Sequence, residues 1–74
     1  MTGVFDNASF GTLFKTNDGD LAVYLCYVPY NNFHKLFVKG FEFPFYYHGD
    51  GKRRGNGKFA KKYGSGLDIH QRIN

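Results

Sequence analysis

Residues 41–48 read FEFPFYYH and place an aromatic ring at every second position, at Phe41, Phe43, Phe45 and Tyr47. Alternation with a period of two is typical of a β-strand, because successive side chains of a strand point to opposite faces of a sheet. The segment therefore predicts a strand with one aromatic face. Pro44 has no amide hydrogen to donate to a neighbouring strand, so we expect its position to face an edge or a bulge.

Four more short strands are predicted around this stretch, over residues 10–16, 21–28, 34–39 and 67–73. Turn signals separate them, such as residues 17–20 (NDGD), because Asn, Asp and Gly tolerate the positive φ angles of tight turns. Residues 21–28 are apolar on both faces, so we expect this strand at the centre of the sheet. One helical turn is expected before Gly64, since Phe59 and Tyr63 lie four positions apart.

The composition limits the chain to one small core. It has 74 residues, with nine Phe, six Tyr and no Trp, so residues 1–74 are expected to form a single domain with an aromatic interior. Five short strands predict an all-β fold, a small antiparallel barrel, because closing a sheet removes its exposed edges. An SH3-like barrel is favoured and an OB-like barrel is the alternative. The predicted core consists of Phe10, Phe14, Leu21, Val23, Leu25, Leu36, Val38, Phe41, Phe43, Phe45 and Ile69.

The cysteine count and the first residues indicate the compartment. Cys26 is the single cysteine, so no disulfide can form within the chain. The first residues, MTGVFD, have neither the basic start nor the apolar run of a signal peptide. No stretch has the length of a membrane span, and no membrane partner is expected. The sequence therefore predicts a cytoplasmic protein.

Three segments resemble a known group of proteins: residues 5–19 (FDNASFGTLFKTNDG), 46–52 (YYHGDGK) and 64–69 (GSGLDI). They are similar to short uncharacterised proteins of Bacteroides-type gut bacteria, their phages and mobile elements. The resemblance implies a small β-barrel of bacterial or phage origin, and it implies no activity and no functional residue. The segment between Gly51 and Gly64 is richer in Lys and Arg than the group would lead one to expect.

The sharpest functional feature is a basic tract, residues 52–62, inside a Gly-rich loop over residues 49–64. The tract has no acidic residue and holds six of the ten basic residues, namely Lys52, Arg53, Arg54, Lys58, Lys61 and Lys62. Phosphate backbones attract such clusters, and the interleaved rings of Phe59 and Tyr63 could stack on bases. The tract therefore indicates non-specific contact with nucleic acid or with an acidic protein surface. A solvated loop that aids solubility is the alternative interpretation.

The surplus of aromatic residues supports a second hypothesis. Tyr24, Tyr27, Phe37 and Tyr46 belong to strands with two apolar faces, and they could form a surface for a protein partner or a second copy of the chain. The alternative interpretation is that the rings fill the interior and cover the open ends of a small barrel.

The sequence offers little for catalysis or for metal binding. His34, His48 and His70 lie on different predicted elements, whereas a metal site needs convergent ligands. Cys26 lies in the middle of a predicted strand, where a thiol is usually inert packing. Asp residues 18, 20 and 50 fall in turns, where local backbone hydrogen bonds account for them. We therefore expect no enzyme, no cofactor and no metal, but a small binding or accessory protein.

Overall fold

The computed structural model describes residues 3–55 and 58–73 and contains one antiparallel sheet curled into a half-barrel. Its elements are β1 (Leu13–Thr16), β2 (Leu21–Val28), β3 (Phe33–Val38), β4 (Phe45–Tyr47), a short helix α1 (Lys58–Tyr63) and β5 (Ile69–Arg72). The strand order is β4-β3-β2-β1-β5, so β2 is central as predicted. Consecutive strands pair in chain order and β5 returns to pair with β1, as a small SH3-like barrel requires. The predicted all-β antiparallel fold is confirmed.

The core lies on the concave inner face of the sheet. It consists of Phe5, Phe14, Ala22, Tyr24, Leu36, Val38, Tyr47, Leu67 and Ile69. Four of these were predicted from the alternation of apolar residues: Phe14, Leu36, Val38 and Ile69. Phe41 and Phe45, also predicted, are partly buried and pack against the core.

The predicted inner face of β2 was wrong. Ala22 and Tyr24 point into the core, whereas Leu21 is 41% exposed and Val23 and Leu25 are only half-buried. Both faces of this strand are apolar, so a period of two could not choose between them. The pairing with β3 also shifts register between residues 24 and 26, which breaks the alternation halfway along the strand.

Two predicted core aromatics lie outside the strands and are exposed. Phe10 is 79% exposed because β1 begins only at Leu13, after a turn in which the Thr12 amide donates to the Ser9 carbonyl at 2.9 Å. Phe43 is 70% exposed because the predicted strand over residues 41–48 shortens to Phe45–Tyr47, an edge strand that begins directly after the proline. A proline at this point is compatible with an edge, since no ladder bond is lost.

Phe5 fills the concave side of the half-barrel. Its ring lies 5.1 Å from that of Phe14, 4.7 Å from that of His34 and 5.9 Å from that of Tyr47. It comes from the segment before β1, and no periodic pattern surrounds it. A ring from outside the sheet therefore completes the aromatic core.

Residues after β4 span the gap between the two edges of the sheet. Tyr47 and Arg53 form an isolated antiparallel bridge, and the Ile69 amide donates to the Gly51 carbonyl at 2.8 Å. The edge strand β4 is thus connected to β5 through residues 51–53. Within residues 3–55 and 58–73, no helix is long and apolar enough to cross a membrane.

Candidate nucleic-acid interface

The first part of the basic tract runs beside β4. The His48 amide donates to the Lys52 carbonyl at 2.9 Å, and the Arg54 amide donates to the Tyr46 carbonyl at 2.7 Å. Residues 52–54 therefore act as a short additional strand that pairs with the sheet edge. Because neighbours across such a pairing share a face, Lys52 lies beside His48 and Arg54 lies beside Tyr46 on the outer face of the sheet.

β3 adds two more side chains to this outer surface. Lys35 is paired directly with Tyr46, and the Phe33 ring packs edge-on against the His48 ring at 5.0 Å. Three adjacent segments thus place two rows of basic and aromatic side chains next to each other. We call this surface the basic–aromatic face, formed by Phe33, Lys35, Tyr46, His48, Lys52 and Arg54.

Cations and rings are in contact across the basic–aromatic face. The Arg54 guanidinium lies 5.3 Å from the centroid of the Phe33 ring, and the Lys35 ammonium lies 5.9 Å from that of Tyr46. The Phe33 and Tyr46 rings are 6.5 Å apart. Cation–π contacts of this kind are worth about 0.5–1 kcal/mol at exposed sites. They hold long basic side chains close to the sheet, which lowers the entropy that a ligand would have to remove.

Arg53 has a different environment from its two neighbours. It is half-buried, its amide donates to an Asp68 carboxylate oxygen at 2.9 Å, and its guanidinium lies 5.6 Å from the centroid of the Phe45 ring. Its Nη1 also donates to the Arg54 carbonyl at 3.2 Å. Of the first three basic residues of the tract, Arg53 therefore supports the connection between β4 and β5, whereas Lys52 and Arg54 are exposed.

The other three predicted site residues lie on α1. Lys58, Lys61 and Lys62 are all exposed, and Tyr63 packs on the core through the Phe41 ring at 5.5 Å. The helix ends as predicted, with Gly64 at φ 56° and its amide donating to the Ala60 carbonyl at 2.7 Å. Asn56, Gly57 and the side chain of Phe59 lie outside the described part of the chain.

The three histidines differ in their surroundings. His34 faces the core, with its Nδ1 2.7 Å from the Tyr24 hydroxyl, whereas His48, directly after β4, and His70, on β5, are exposed. Burial lowers the pKa of His34, and the nearby Asp6 carboxylate acts weakly in the opposite direction. Among residues 3–55 and 58–73, no three His, Cys, Asp or Glu side chains form a group that could hold a metal ion.

The environment of Cys26 differs from the prediction of an inert, packed thiol. Its side chain is exposed, and its backbone is paired with that of Lys35. The register shift after Tyr24 explains the difference, because it changes the side of the sheet to which the residues after the shift point.

A second surface lies on the outer face farther along β2 and β3. We call it the apolar patch, and it consists of Leu21, Val23 and Phe37, which line a shallow depression together with Lys39. Val23 pairs with Phe37 on one side and with Leu13 on the other. Apolar side chains therefore lie side by side across three strands.

Comparisons with protein-family models, with curated proteins and with solved structures find no match. The resemblance to short Bacteroides-type proteins therefore stays a prediction.

Sequence reasoning found the basic residues but not the surface to which two of them belong. Phe33, Lys35, Tyr46 and His48 were not among the predicted site residues. The available signal was the turn that begins at Gly49: a hairpin with the three-residue loop 49–51 places Lys52 beside His48 and Arg54 beside Tyr46, one residue out of step with a turn over residues 49–52. The glycines after Arg54 made a strand at this point look weak.

Proposed function

We propose that this protein binds nucleic acid without sequence specificity through its basic–aromatic face and the exposed lysines of α1. The main support is the alternation of cations with rings on one surface, with Lys35 and Arg54 on either side of Tyr46. Cations neutralise phosphates and release their condensed counterions, while rings offer surfaces on which bases stack. Base-edge hydrogen-bond readout is not needed for such binding.

The distribution of charge over the chain favours this ligand. The basic tract holds six positive and no negative residues, and the remainder has four basic against six acidic residues, or 4 − 6 = −2. A polyanion is therefore attracted to the residues of the basic tract and weakly repelled by the net charge of the remainder. This difference in charge both orients the protein as it approaches the nucleic acid and adds to the affinity.

The test is the salt dependence of binding to a fluorescent oligonucleotide, followed by anisotropy. The double variant Lys52→Gln, Arg54→Gln should weaken binding and lower the slope of log K against log salt by about 1–2, since each phosphate contact contributes about 0.7–0.9. The matched control is Lys15→Gln, Lys39→Gln, which removes the same charge from exposed positions outside the basic–aromatic face. This control variant should keep most of the slope of log K against log salt that the unmodified protein shows.

Two results would contradict the proposal. One is an unmodified protein that does not bind at low salt. The other is a control variant that loses as much affinity as the Lys52, Arg54 variant, because the effect would then depend on net charge and not on this surface.

Self-association through the apolar patch is the second candidate function. The row of apolar side chains across β1, β2 and β3 favours it, with Leu21 41% exposed. Salt does not screen buried apolar area, so a dimer formed in this way should persist at high salt in sedimentation experiments. Phe37→Ser should abolish that dimer. A monomer at high protein concentration would exclude this candidate.

A further inference from the structure

The basic–aromatic face also has features that select between two forms of nucleic acid. We propose that its ligand is single-stranded, with a base stacked on the Tyr46 ring and the flanking phosphates on Lys35 and Arg54. This inference rests on the proposed function and specifies the ligand class for the same surface.

The position of Tyr46 favours stacking. Its side chain is 39% exposed in the middle of the surface, paired with Lys35 on one side and hydrogen-bonded through its carbonyl to Arg54 on the other. Neighbouring strands are about 4.8 Å apart, so the backbones of Lys35 and Arg54 lie roughly 10 Å from each other with Tyr46 between them. The Lys35 ammonium lies 5.9 Å from the Tyr46 ring centroid and the Arg54 guanidinium lies over the neighbouring Phe33 ring. A ring on a strand between two basic residues fits one unstacked base, with a phosphate for each of the two mobile basic side chains.

A duplex would use this surface poorly. Its bases are stacked on one another, so an aromatic ring on a sheet face could reach only backbone and groove edges. Lys35, Lys52 and Arg54 would still contact phosphates, but the Phe33 and Tyr46 rings would face a charged backbone and gain nothing. A single strand satisfies both kinds of side chain, which is why we expect it to bind more tightly.

The experiment compares oligothymidylate with a duplex of the same number of phosphates, using Tyr46→Leu and its control Tyr30→Leu. Leu keeps an apolar side chain and removes the aromatic ring. Tyr30 is 92% exposed in the turn between β2 and β3, outside the basic–aromatic face. Tyr46→Leu should weaken single-strand binding about tenfold and leave duplex binding unchanged, because stacking contributes on that scale. Tyr30→Leu should change neither affinity.

The outcomes separate this inference from the proposed function. If the duplex binds as tightly as the single strand and Tyr46→Leu changes neither affinity, the inference is wrong, while sensitivity to Lys52 and Arg54 would still support nucleic-acid binding. If neither oligonucleotide binds at low salt, both proposals fail. If polyglutamate of equal charge binds as tightly as oligothymidylate, the ligand is an acidic protein surface and the inference is overturned. Circular dichroism spectra of both variants check that they remain folded.

Discussion

The buried phenol of Tyr47 joins two parts of the molecule that no strand pairing connects. Tyr47 has no exposed surface, and its hydroxyl donates to the Leu67 carbonyl at 2.7 Å. Burial raises the pKa of the phenol above its ordinary value. The side chain therefore ties the edge strand β4 to the segment before β5 from inside the core.

Tyr47→Phe should lower the free energy of unfolding by about 1–3 kcal/mol, because the ring still fills its space but the Leu67 carbonyl loses its buried donor. The measurement is chemical denaturation followed by circular dichroism. Tyr30→Phe, at an exposed position, should change stability by less than about 0.5 kcal/mol. Equal stability of Tyr47→Phe and the unmodified protein would show that this hydrogen bond contributes nothing.

His34 should make stability depend on pH. Its pKa is lowered in the folded state by burial, so the unfolded chain binds the proton more tightly. The folded state is therefore favoured fully above the ordinary pKa of about 6.5 and progressively less as the pH falls below it. Chemical denaturation should show that the unmodified protein loses more free energy of unfolding between pH 8 and pH 5 than the His34→Gln variant does. The control variant is His70→Gln, at an exposed position of β5, and its free energy of unfolding should fall between pH 8 and pH 5 by as much as that of the unmodified protein. If the free energy of unfolding of His34→Gln falls by as much as that of the unmodified protein, His34 is not the source of the pH dependence.

At the scale of elements, the closure of the half-barrel depends on one glycine. Gly51 has φ 93°, and a Cβ at this position would overlap the carbonyl oxygen of Ile69, the residue whose amide bonds to Gly51. The turn after β4 can approach β5 only because this residue has no side chain.

Gly51→Ala should therefore destabilise the fold much more than Gly40→Ala. Gly40 has nearly the same φ, 94°, but open space around it, so its substitution isolates the backbone cost of about 1–3 kcal/mol. The difference between the two midpoints of denaturation measures the additional cost of the overlap between the new Cβ at position 51 and the Ile69 carbonyl oxygen. If both variants unfold at the same denaturant concentration, residues 51–53 do not close the sheet as described.

The elements differ in how well the sequence specified them. β3 was predicted to within one residue of its bounds because Leu36 and Val38 share one face while Lys35 and Phe37 share the other, and β5 because Ile69 follows a turn. The sequence pattern could not show which face of β2 points into the core, since both of its faces are apolar. The strand over residues 41–48 was too long because alternating rings matched a strand pattern on both sides of Pro44, while the chain before the proline leaves the sheet.

At the scale of the whole molecule, the fold assembles a surface that no single segment contains. The basic tract was visible as a run of charges, but the rings beside it come from β3 and β4, and only the pairing of residues 52–54 with β4 brings them together. Predicting that surface required the register of three neighbouring segments. Composition and periodicity do not fix register where a segment contains glycine and has no apolar alternation.

The most direct test of the central claim is a nuclear magnetic resonance titration of the labelled protein with oligothymidylate at low salt. We expect the largest amide shifts on the basic–aromatic face, at residues such as Lys35, Tyr46 and Arg54, and small shifts at Val23 and Phe37. The absence of shifts at saturating oligonucleotide, or shifts centred on the apolar patch, would contradict the central claim.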